Sequence, residues 1–123
     1  MAYQESYEQQ AFFMWAAYAA SHYPGLELMH AISNGGKRDA REAARLKREG
    51  VKAGIPDIFL PVTQGIYAGL YIEMKSEKGR LSPAQRDMLQ ELKAQGYAVC
   101  VCRGCEEAVG AIKDYYQGKS MEG

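Results

Sequence analysis

The chain has 123 residues, of which 47% are hydrophobic and 24% are charged, and its formal net charge is zero. This length and composition predict one soluble globular domain whose core needs neither disulfides nor a structural metal. The neutral balance argues against a uniformly basic nucleic-acid coat, and no apolar run approaches the ~20 residues of a membrane span.

Both ends of the sequence bear on the cellular compartment. The first ten residues, MAYQESYEQQ, contain acids and no Lys or Arg, which is not the pattern of a secretory signal peptide. The three cysteines, Cys100, Cys102 and Cys105, are an odd, clustered set that makes no disulfide framework, so we expect a reducing cytoplasm. A thiolate metal or redox site is the alternative, but it needs a fourth ligand, and His22 and His30 lie far away in sequence.

The first half of the chain predicts two helices with a short strand between them. Residues 5–23 contain no Gly or Pro, and apolar residues such as Phe12 and Trp15 recur at helical spacing. The segment YPG ends this helix, residues 26–32 predict a short strand, and SNGG predicts a turn. Residues 37–50 then predict a polar, basic helix that ends at a glycine.

The second half predicts a hairpin followed by helix, strand and helix. Apolar strands over 57–62 and 66–75 flank a turn at Gly65, and Ser82 with Pro83 marks a helix start. The last three predicted elements are a helix over 82–95, a strand over 97–102 and a helix over 106–116.

This order of elements predicts an α/β fold, a mixed β-sheet with a central hairpin flanked by helices. The strand after the 82–95 helix can pair parallel to its predecessor through a right-handed crossover. We expect a single domain over residues 1–117 and a flexible tail over 118–123.

Three charged residues lie in the otherwise apolar hairpin. Side chains alternate across a strand, so Glu73 and Lys75 share one face. A hairpin folded about Gly65 makes Asp57 the cross-strand neighbour of Glu73, with Cβ atoms roughly 4.5–5.5 Å apart.

Two carboxylates that close repel each other unless a proton or a cation lies between them. Mg²⁺ and Mn²⁺ prefer such oxygen ligands, and Lys75 could orient a water or stabilise charge on a phosphate. The arrangement therefore indicates metal-assisted phosphodiester hydrolysis. The alternative is a solvated polar face, with Asp57 merely at a strand start. Gly54 and Pro56, which constrain the approach to Asp57, favour the site.

At these residues the chain resembles the VRR-NUC nucleases of the PD-(D/E)xK superfamily, most closely the short stand-alone members encoded by phages and bacteria. The resemblance spans residues 5–117 and rests on Pro-Asp at 56–57 and Glu-Met-Lys at 73–75. Further similar stretches are SNGG, GVKAGIPDIFLP, GLYIEMKSEKGRLSPAQ and GYAVCVCRGCEEA. It implies a restriction-endonuclease-like core and a hydrolase, a Mg²⁺- or Mn²⁺-dependent endodeoxyribonuclease. For a phage protein, the compartment is the bacterial host cytoplasm.

The resemblance also implies the site residues. Asp57 and Glu73 match the metal-binding carboxylates, the backbone carbonyl of Met74 matches a further metal ligand, and Lys75 matches the catalytic lysine.

The family also uses a glutamate of its first helix, for which Glu8 is favoured and Glu5 is the alternative. Either acid could instead be an ordinary helix-start residue that interacts favourably with the helix dipole. The family places a glutamine where Gln85 stands, near the site. Gln85 also fits a capping box with Ser82, which is the favoured interpretation.

Positive charge concentrates on both sides of the hairpin. The candidate phosphate contacts are Lys37, Arg38, Arg41, Arg45, Lys47, Arg48, Lys52, Lys78 and Arg80. Such contacts position a duplex without reading its sequence. The alternative is a solvated helix with ion pairs one turn apart.

One feature departs from the family, because only Arg103 remains of the Val-Arg-Arg segment. Arg103 could contact phosphate, brace the site or lie in solvent. The stand-alone members imply a homodimer that acts on branched DNA such as a four-way (Holliday) junction. The alternative function is a catalytically silent DNA-binding module. The intact set of Asp57, Glu73 and Lys75 argues against this alternative.

Overall fold

The computed structural model describes residues 3–33 and 39–121. Its helices are α1 (Tyr3–Ala19), α2 (Ala40–Arg48), α3 (Pro83–Ala94) and α4 (Cys105–Tyr116). Its strands are β1 (His30–Ala31), β2 (Ile58–Leu60), β3 (Leu70–Met74) and β4 (Ala98–Cys102). Most of the predicted SNGG turn, together with Lys37 and Arg38, lies outside the described residues. None of the helices in the described ranges is long and apolar enough to cross a bilayer.

The four strands form one mixed sheet in the order β1-β2-β3-β4. The β1–β2 and β2–β3 pairs are antiparallel, and the β3–β4 pair is parallel, with α3 as the crossover between its strands. The predicted mixed sheet with a central hairpin flanked by helices is therefore confirmed.

The hairpin strands are shorter than predicted, although their register is the expected one. Ile58 faces Ile72, and β2 stops at Leu60, because Pro61 has no amide hydrogen for the ladder. The chain then forms a separate tight turn, in which Gln64 and Tyr67 bond to each other around Gly65 at a φ of 58°.

The strand predicted over 26–32 is also shorter than expected. Leu26–Leu28 forms a turn of 3-10 helix, which buries Leu26, and only His30 and Ala31 pair with β2. Likewise, the first helix ends at Ala19 and continues as a 3-10 turn over Ala20–His22.

The hydrophobic core lies between one face of the sheet and the helices α1 and α4. Ile58, Leu60, Leu70 and Ile72 are each 0% exposed on that face. The helix residues that complete the core are Phe12, Ala16, Ala108, Ile112 and Tyr115. The core therefore fixes α1 and α4 against β3, the strand that carries the charged motif.

Helix α3 lies over the opposite face of the sheet and is capped as predicted. Ser82 Oγ accepts a hydrogen bond from the Gln85 amide at 3.1 Å, and Gln85 Oε1 accepts one from the Ser82 amide at 2.9 Å. Gly54, at a φ of 84°, packs against the backbone of Ala84, where a Cβ would collide. This close approach holds the turn before Asp57 against the first turn of α3.

The segment predicted as a flexible tail makes contacts where it is described. The Met121 amide donates to the Tyr67 hydroxyl at 3.1 Å, and the Met121 side chain packs against the core. Lys119 pairs with Asp114 at 3.2 Å. Residues 122–123 lie outside the described ranges.

Candidate active site

The antiparallel hairpin brings Asp57 beside Glu73. Ile58 faces Ile72, so the next step along the two strands places these carboxylates next to each other on the face opposite the core. The Met74 amide donates to Asp57 Oδ2 at 2.8 Å, which fixes the orientation of this carboxylate. The register predicted from folding about Gly65 is thus the observed one.

Glu73 is held from two sides. Its residue is 3% exposed, and it is the one charged residue that is buried within the described ranges. Gln85 Nε2 donates to Glu73 Oε2 at 2.9 Å, and Lys75 Nζ lies 3.7 Å from the same oxygen. Gln85 therefore caps α3 with its carbonyl oxygen and holds Glu73 with its amide nitrogen at the same time.

The site disfavours negative charge in the absence of a counter-cation. Burial, followed by the neighbouring charge of Asp57, raises the pKa of Glu73 to about 7, although Lys75 opposes the shift. Burial also raises the pKa of Asp57, partly offset by the hydrogen bond from the Met74 amide. A proton or a cation bound between these carboxylates would remove the repulsion.

The structure separates the two candidate glutamates of α1. The charge of Glu5 raises the pKa of both Asp57 and Glu73, which places Glu5 electrostatically at the site. Glu8 Oε1 instead accepts a hydrogen bond from the Cys105 amide at 2.7 Å and so caps the start of α4. This electrostatic influence, together with the use of Glu8 at the start of α4, makes Glu5 the stronger candidate for the site, whereas the sequence analysis favoured Glu8.

Arg103 braces the loop that follows β3. One of its terminal nitrogens donates to the carbonyl of Ser76 at 2.7 Å and to that of Gly79 at 2.6 Å. Its backbone amide donates to Glu107 at 2.7 Å. Of the interpretations left open by the sequence, the structure supports the bracing one.

The loop and α1 enclose a cleft beside the carboxylates. This cleft has a volume of about 220 Å³. It is lined by Gln4, Glu5, Glu8, Lys75, Ser76, Glu77, Arg103 and Gly104. Lys75 and Glu5 thus face solvent next to the buried Glu73, where a ligand can reach them.

Apart from Arg103, the described candidate phosphate contacts lie at the surface and do not line the cleft. Arg41, Arg45, Lys47, Arg48, Lys52, Lys78 and Arg80 are exposed. Helix α2 buries none of its residues, and Arg45 pairs with Glu49 at 2.8 Å and with Glu42 at 3.5 Å. Lys78 belongs to the braced loop, and Lys37 and Arg38 fall outside the described residues.

An aromatic cluster that the sequence analysis missed lies on the same face as the carboxylates. The rings of Phe59 and Tyr71 stack with centroids 4.3 Å apart, and Tyr97 meets Tyr71 edge-on at 5.2 Å. The Phe59 ring also covers Gly69, where a Cβ would lie 2.9 Å from it. Strand alternation could have predicted this cluster, because Phe59 is two residues after Asp57 and Tyr71 is two residues before Glu73, which puts all four side chains on one face.

The possible metal ligands are oxygen atoms rather than sulfur. Within residues 3–33 and 39–121, no three His, Cys, Asp or Glu side chains form a ready-made metal cluster. The Sγ atoms of Cys100 and Cys102 are 3.7 Å apart. The carboxylates of Asp57 and Glu73 are a hard, oxygen-rich pair, which fits Mg²⁺ or Mn²⁺ better than zinc.

Comparison with known proteins places the chain in a family. A solved structure described as a VRR_NUC domain protein superposes with a TM-score of 0.77 at 26% identity, and the match covers 98% of this chain and 93% of that one. No curated protein matches the chain significantly. The family profile of the VRR-NUC domain matches residues 2–106. The chain therefore belongs to the VRR-NUC domain family, a family of nuclease domains.

Proposed function

We propose that this protein is a Mg²⁺- or Mn²⁺-dependent endonuclease that hydrolyses phosphodiester bonds in DNA. The observation that carries the proposal is the buried Glu73, which lies beside Asp57 and has the Lys75 ammonium 3.7 Å from its carboxylate. Burying Glu73 beside the partly buried Asp57 has a free-energy cost, and a site that binds a divalent cation explains why the fold accepts that cost.

The donor atoms at hand suit a hard divalent cation. Asp57 and Glu73 would supply carboxylate oxygens, the Met74 carbonyl is the candidate backbone ligand, and Glu5 would add a carboxylate from α1. Mg²⁺ usually keeps several waters and needs only one or two protein carboxylates, so a larger protein cluster is not required. A metal held by these residues would supply Lewis-acid polarisation of the phosphate and a water of lowered pKa.

The side chains around this centre orient the metal ligands and act on the attacking water or the phosphate. Gln85 and the Met74 amide hold Glu73 and Asp57 in fixed orientations, which reduces reorganisation during the reaction. The Lys75 side chain, 15% exposed, is near enough to solvent to orient an attacking water or to stabilise negative charge on the phosphate.

The surroundings support DNA as the substrate. Lys78 and Arg80 flank the cleft on the loop braced by Arg103, and the exposed basic residues of α2 offer further phosphate contacts. No base-reading motif is evident in the sequence. We therefore propose that the enzyme selects DNA structure, such as a four-way junction, and acts as a homodimer, as the resemblance to stand-alone members implies.

The test is a cleavage panel on linear, flap, splayed and four-way substrates with Mg²⁺, Mn²⁺ or EDTA. We expect cleavage with either metal, none with EDTA, and a preference for the branched substrates. Asp57→Asn and Lys75→Met should each lower the cleavage rate at least ~100-fold while DNA binding persists, because each removes a group that acts on the reacting phosphate or its metal.

Two matched variants on α1 test which of its glutamates belongs to the site. Glu5→Gln should lower the rate and weaken Mn²⁺ binding in calorimetry. Glu8→Gln keeps an oxygen that can accept from the Cys105 amide and should retain most of the activity. The site assignment is wrong if Asp57→Asn or Lys75→Met cleaves like the unsubstituted protein. If the unsubstituted protein binds DNA but cuts none of the substrates, the silent DNA-binding module is the correct function.

A further inference from the structure

The aromatic cluster beside the carboxylates extends across three strands of the sheet. His30 of β1 is the register partner of Phe59 in β2, and Phe59 is the register partner of Tyr71 in β3. Partners in register share a face of the sheet, so these three rings lie on the face that carries the two carboxylates. Tyr97 borders them at the start of β4. We call His30, Phe59, Tyr71 and Tyr97 the aromatic surface.

The rings of the aromatic surface have two orientations. Phe59 and Tyr71 stack with centroids 4.3 Å apart, whereas the Tyr97 ring stands at 74° to Phe59 and at 75° to Tyr71. The His30 imidazole stands at 86° to Phe59, with centroids 5.9 Å apart. A stacked pair bordered by rings at near right angles can contact a planar ligand face to face and edge to face, the two arrangements that aromatic groups prefer.

The aromatic surface is accessible to a ligand. His30 is exposed, and Phe59, Tyr71 and Tyr97 are each partly exposed. Helix α3 packs mainly against β4, toward one edge of this face of the sheet. Cross-strand stacking explains why Phe59 and Tyr71 pair, but it does not require that the rings remain in contact with solvent. Aromatic groups gathered at one accessible place are typical of a binding surface.

The aromatic surface lies within reach of a nucleotide bound at the carboxylates. Phe59 is two residues after Asp57, and Tyr71 is two residues before Glu73. The rings and the carboxylates are therefore about 7 Å apart along the strands. This distance is comparable to the one between a backbone phosphate and the base of its own nucleotide. A base can thus contact the rings while its phosphate lies at the carboxylates.

We propose that the aromatic surface binds one unpaired base of the DNA, in a nucleotide next to the phosphate that is cut. Every base has a π-face that can stack on an aromatic side chain, so this binding would not depend on sequence. In a continuous duplex, both faces of each base are covered by its neighbours. An unpaired base at a branch, a flap or a strand end leaves the stack at the lowest cost, so the aromatic surface would select DNA structure.

This inference deepens the proposed function, on which it rests for DNA as the substrate. It names the chemical feature, an accessible unpaired base, that would distinguish branched DNA from a linear duplex. The chemistry of His30 supports this occupant. Its Nδ1 lies 2.9 Å from the carbonyl oxygen of Leu28, which can only accept, so Nδ1 carries a hydrogen. The Nε2 atom of this exposed residue is then the nitrogen that can meet a base or its phosphate.

The first experiment measures the binding of a splayed duplex by fluorescence anisotropy at low salt in EDTA, where a metal-dependent enzyme cannot cut. A single abasic site is moved through the unpaired positions next to the fork. At one of these positions, and not at the others, the abasic site should raise the Kd of the unsubstituted chain about 10-fold, because the stacking of one base is lost.

Substitutions in the aromatic surface test whether these rings hold the base. Tyr71→Leu and Phe59→Leu remove a ring but keep apolar bulk, so each should bind the base-bearing and abasic duplexes equally. Tyr71→Phe keeps the ring and should keep the difference. The matched control is Tyr18→Leu, at a tyrosine of α1 that is 89% exposed, and it should also keep the difference. Circular dichroism checks that each variant is folded, and Tyr97→Leu, which should reduce the difference, replaces any variant that is not.

The second experiment locates the base by photo-cross-linking. A 5-iodouracil at the position found in the first experiment should cross-link on irradiation to Phe59, Tyr71 or Tyr97, which mass spectrometry of the peptides identifies. The same modified base inside the paired stem should give no cross-link to these rings, because its faces are covered by neighbouring bases.

Three results would each overturn the proposal. They are an unsubstituted chain that fails to distinguish base-bearing from abasic DNA, a difference in Kd that survives in the leucine variants, and cross-links confined to residues outside the aromatic surface. Neither readout requires cleavage. A chain that binds the base but cuts no DNA would contradict the nuclease and leave the aromatic surface standing, whereas cleavage without base-dependent binding would do the reverse.

Discussion

Glu73 combines burial with a like-charged neighbour, and both disfavour its ionised form. Together they raise its pKa from the ordinary 4.5 to about 7. In the metal-free protein, the folded state therefore binds a proton over a pH range in which the unfolded chain has already lost it. The contribution of Glu73 to stability is complete below pH 4.5 and is lost as the pH rises through about 7.

We predict that, in EDTA, the free energy of unfolding falls by about 2 kcal/mol from pH 5 to pH 8 through this one group, since its side chain is only 4% exposed. Urea denaturation at several pH values measures it. Glu73→Gln cannot ionise, so the difference between the variant and the unsubstituted chain isolates Glu73. If the free energies of unfolding of the two proteins ran parallel with pH, folding would not raise the pKa of Glu73.

Gln85 makes both of the contacts that the sequence analysis gave as alternatives, one in the helix cap and one at the site. Its Oε1 closes the capping box with Ser82, and its Nε2 bonds to Glu73. The local pattern Ser-Pro-Ala-Gln predicts the cap, because capping involves neighbours three residues apart. The bond to Glu73 depends on where α3 lies on the sheet, which no local pattern contains.

The loop between β3 and α3 is held by one side chain that is distant in sequence. Arg103, at the end of β4, donates to the carbonyls of Ser76 and Gly79 and so holds the loop that carries Lys78. This loop also lines the cleft beside Lys75. Loosening it should affect DNA binding more than the chemistry at the carboxylates.

We predict that Arg103→Met lowers kcat/KM about 10-fold, mainly through KM, and costs about 1–3 kcal/mol of stability, since hydrogen bonds from a charged donor are lost. Arg103→Lys should restore part of the binding, because an ammonium can still donate to these carbonyls. Steady-state kinetics on a branched substrate and amide exchange at Gly79 measure the two effects. The control is Arg86→Met, an exposed arginine of α3. A fall confined to kcat would contradict the bracing role.

At the scale of the whole molecule, α1 links the core to the site. Phe12 is 0% exposed and stacks on Trp15, with ring centroids 6.2 Å apart. Two turns earlier the same helix carries Glu5 toward the carboxylates. The core contact therefore sets the position of a candidate metal ligand.

We predict that Phe12→Ala destabilises the protein by about 3–5 kcal/mol, through lost burial and the cavity that remains. The rise in melting temperature on adding Mn²⁺ should shrink as well, because Glu5 is no longer held in place. Phe13→Ala, the same change at a partly buried neighbour, is the comparison. Calorimetric melting with and without Mn²⁺ measures both effects. Equal shifts in melting temperature on adding Mn²⁺ to the unsubstituted chain, Phe12→Ala and Phe13→Ala would contradict the coupling between the core and Glu5.

Features that depend on short-range geometry could be predicted from the sequence. Alternation along β3 put Glu73 and Lys75 on one face, and the hairpin register brought Asp57 to them. The cap at Ser82 followed from local chemistry. The parallel β3–β4 pairing agrees with the helical crossover that the sequence predicts between these strands. The strand ends were less predictable, because apolar residues continue past Pro61 into a turn that belongs to no ladder.

Features that depend on how the elements pack are visible only in the folded chain. Glu5 and Glu8 lie one turn apart on the same side of α1, so periodicity cannot choose between them. Only the assembled fold shows that the first turn of α4 meets Glu8 while the charge of Glu5 acts on the carboxylates, which is why we propose Glu5 for the site. The double role of Gln85 and the loop contacts of Arg103 have the same origin. Each of these contacts joins residues that become neighbours only when the sheet and the helices have assembled.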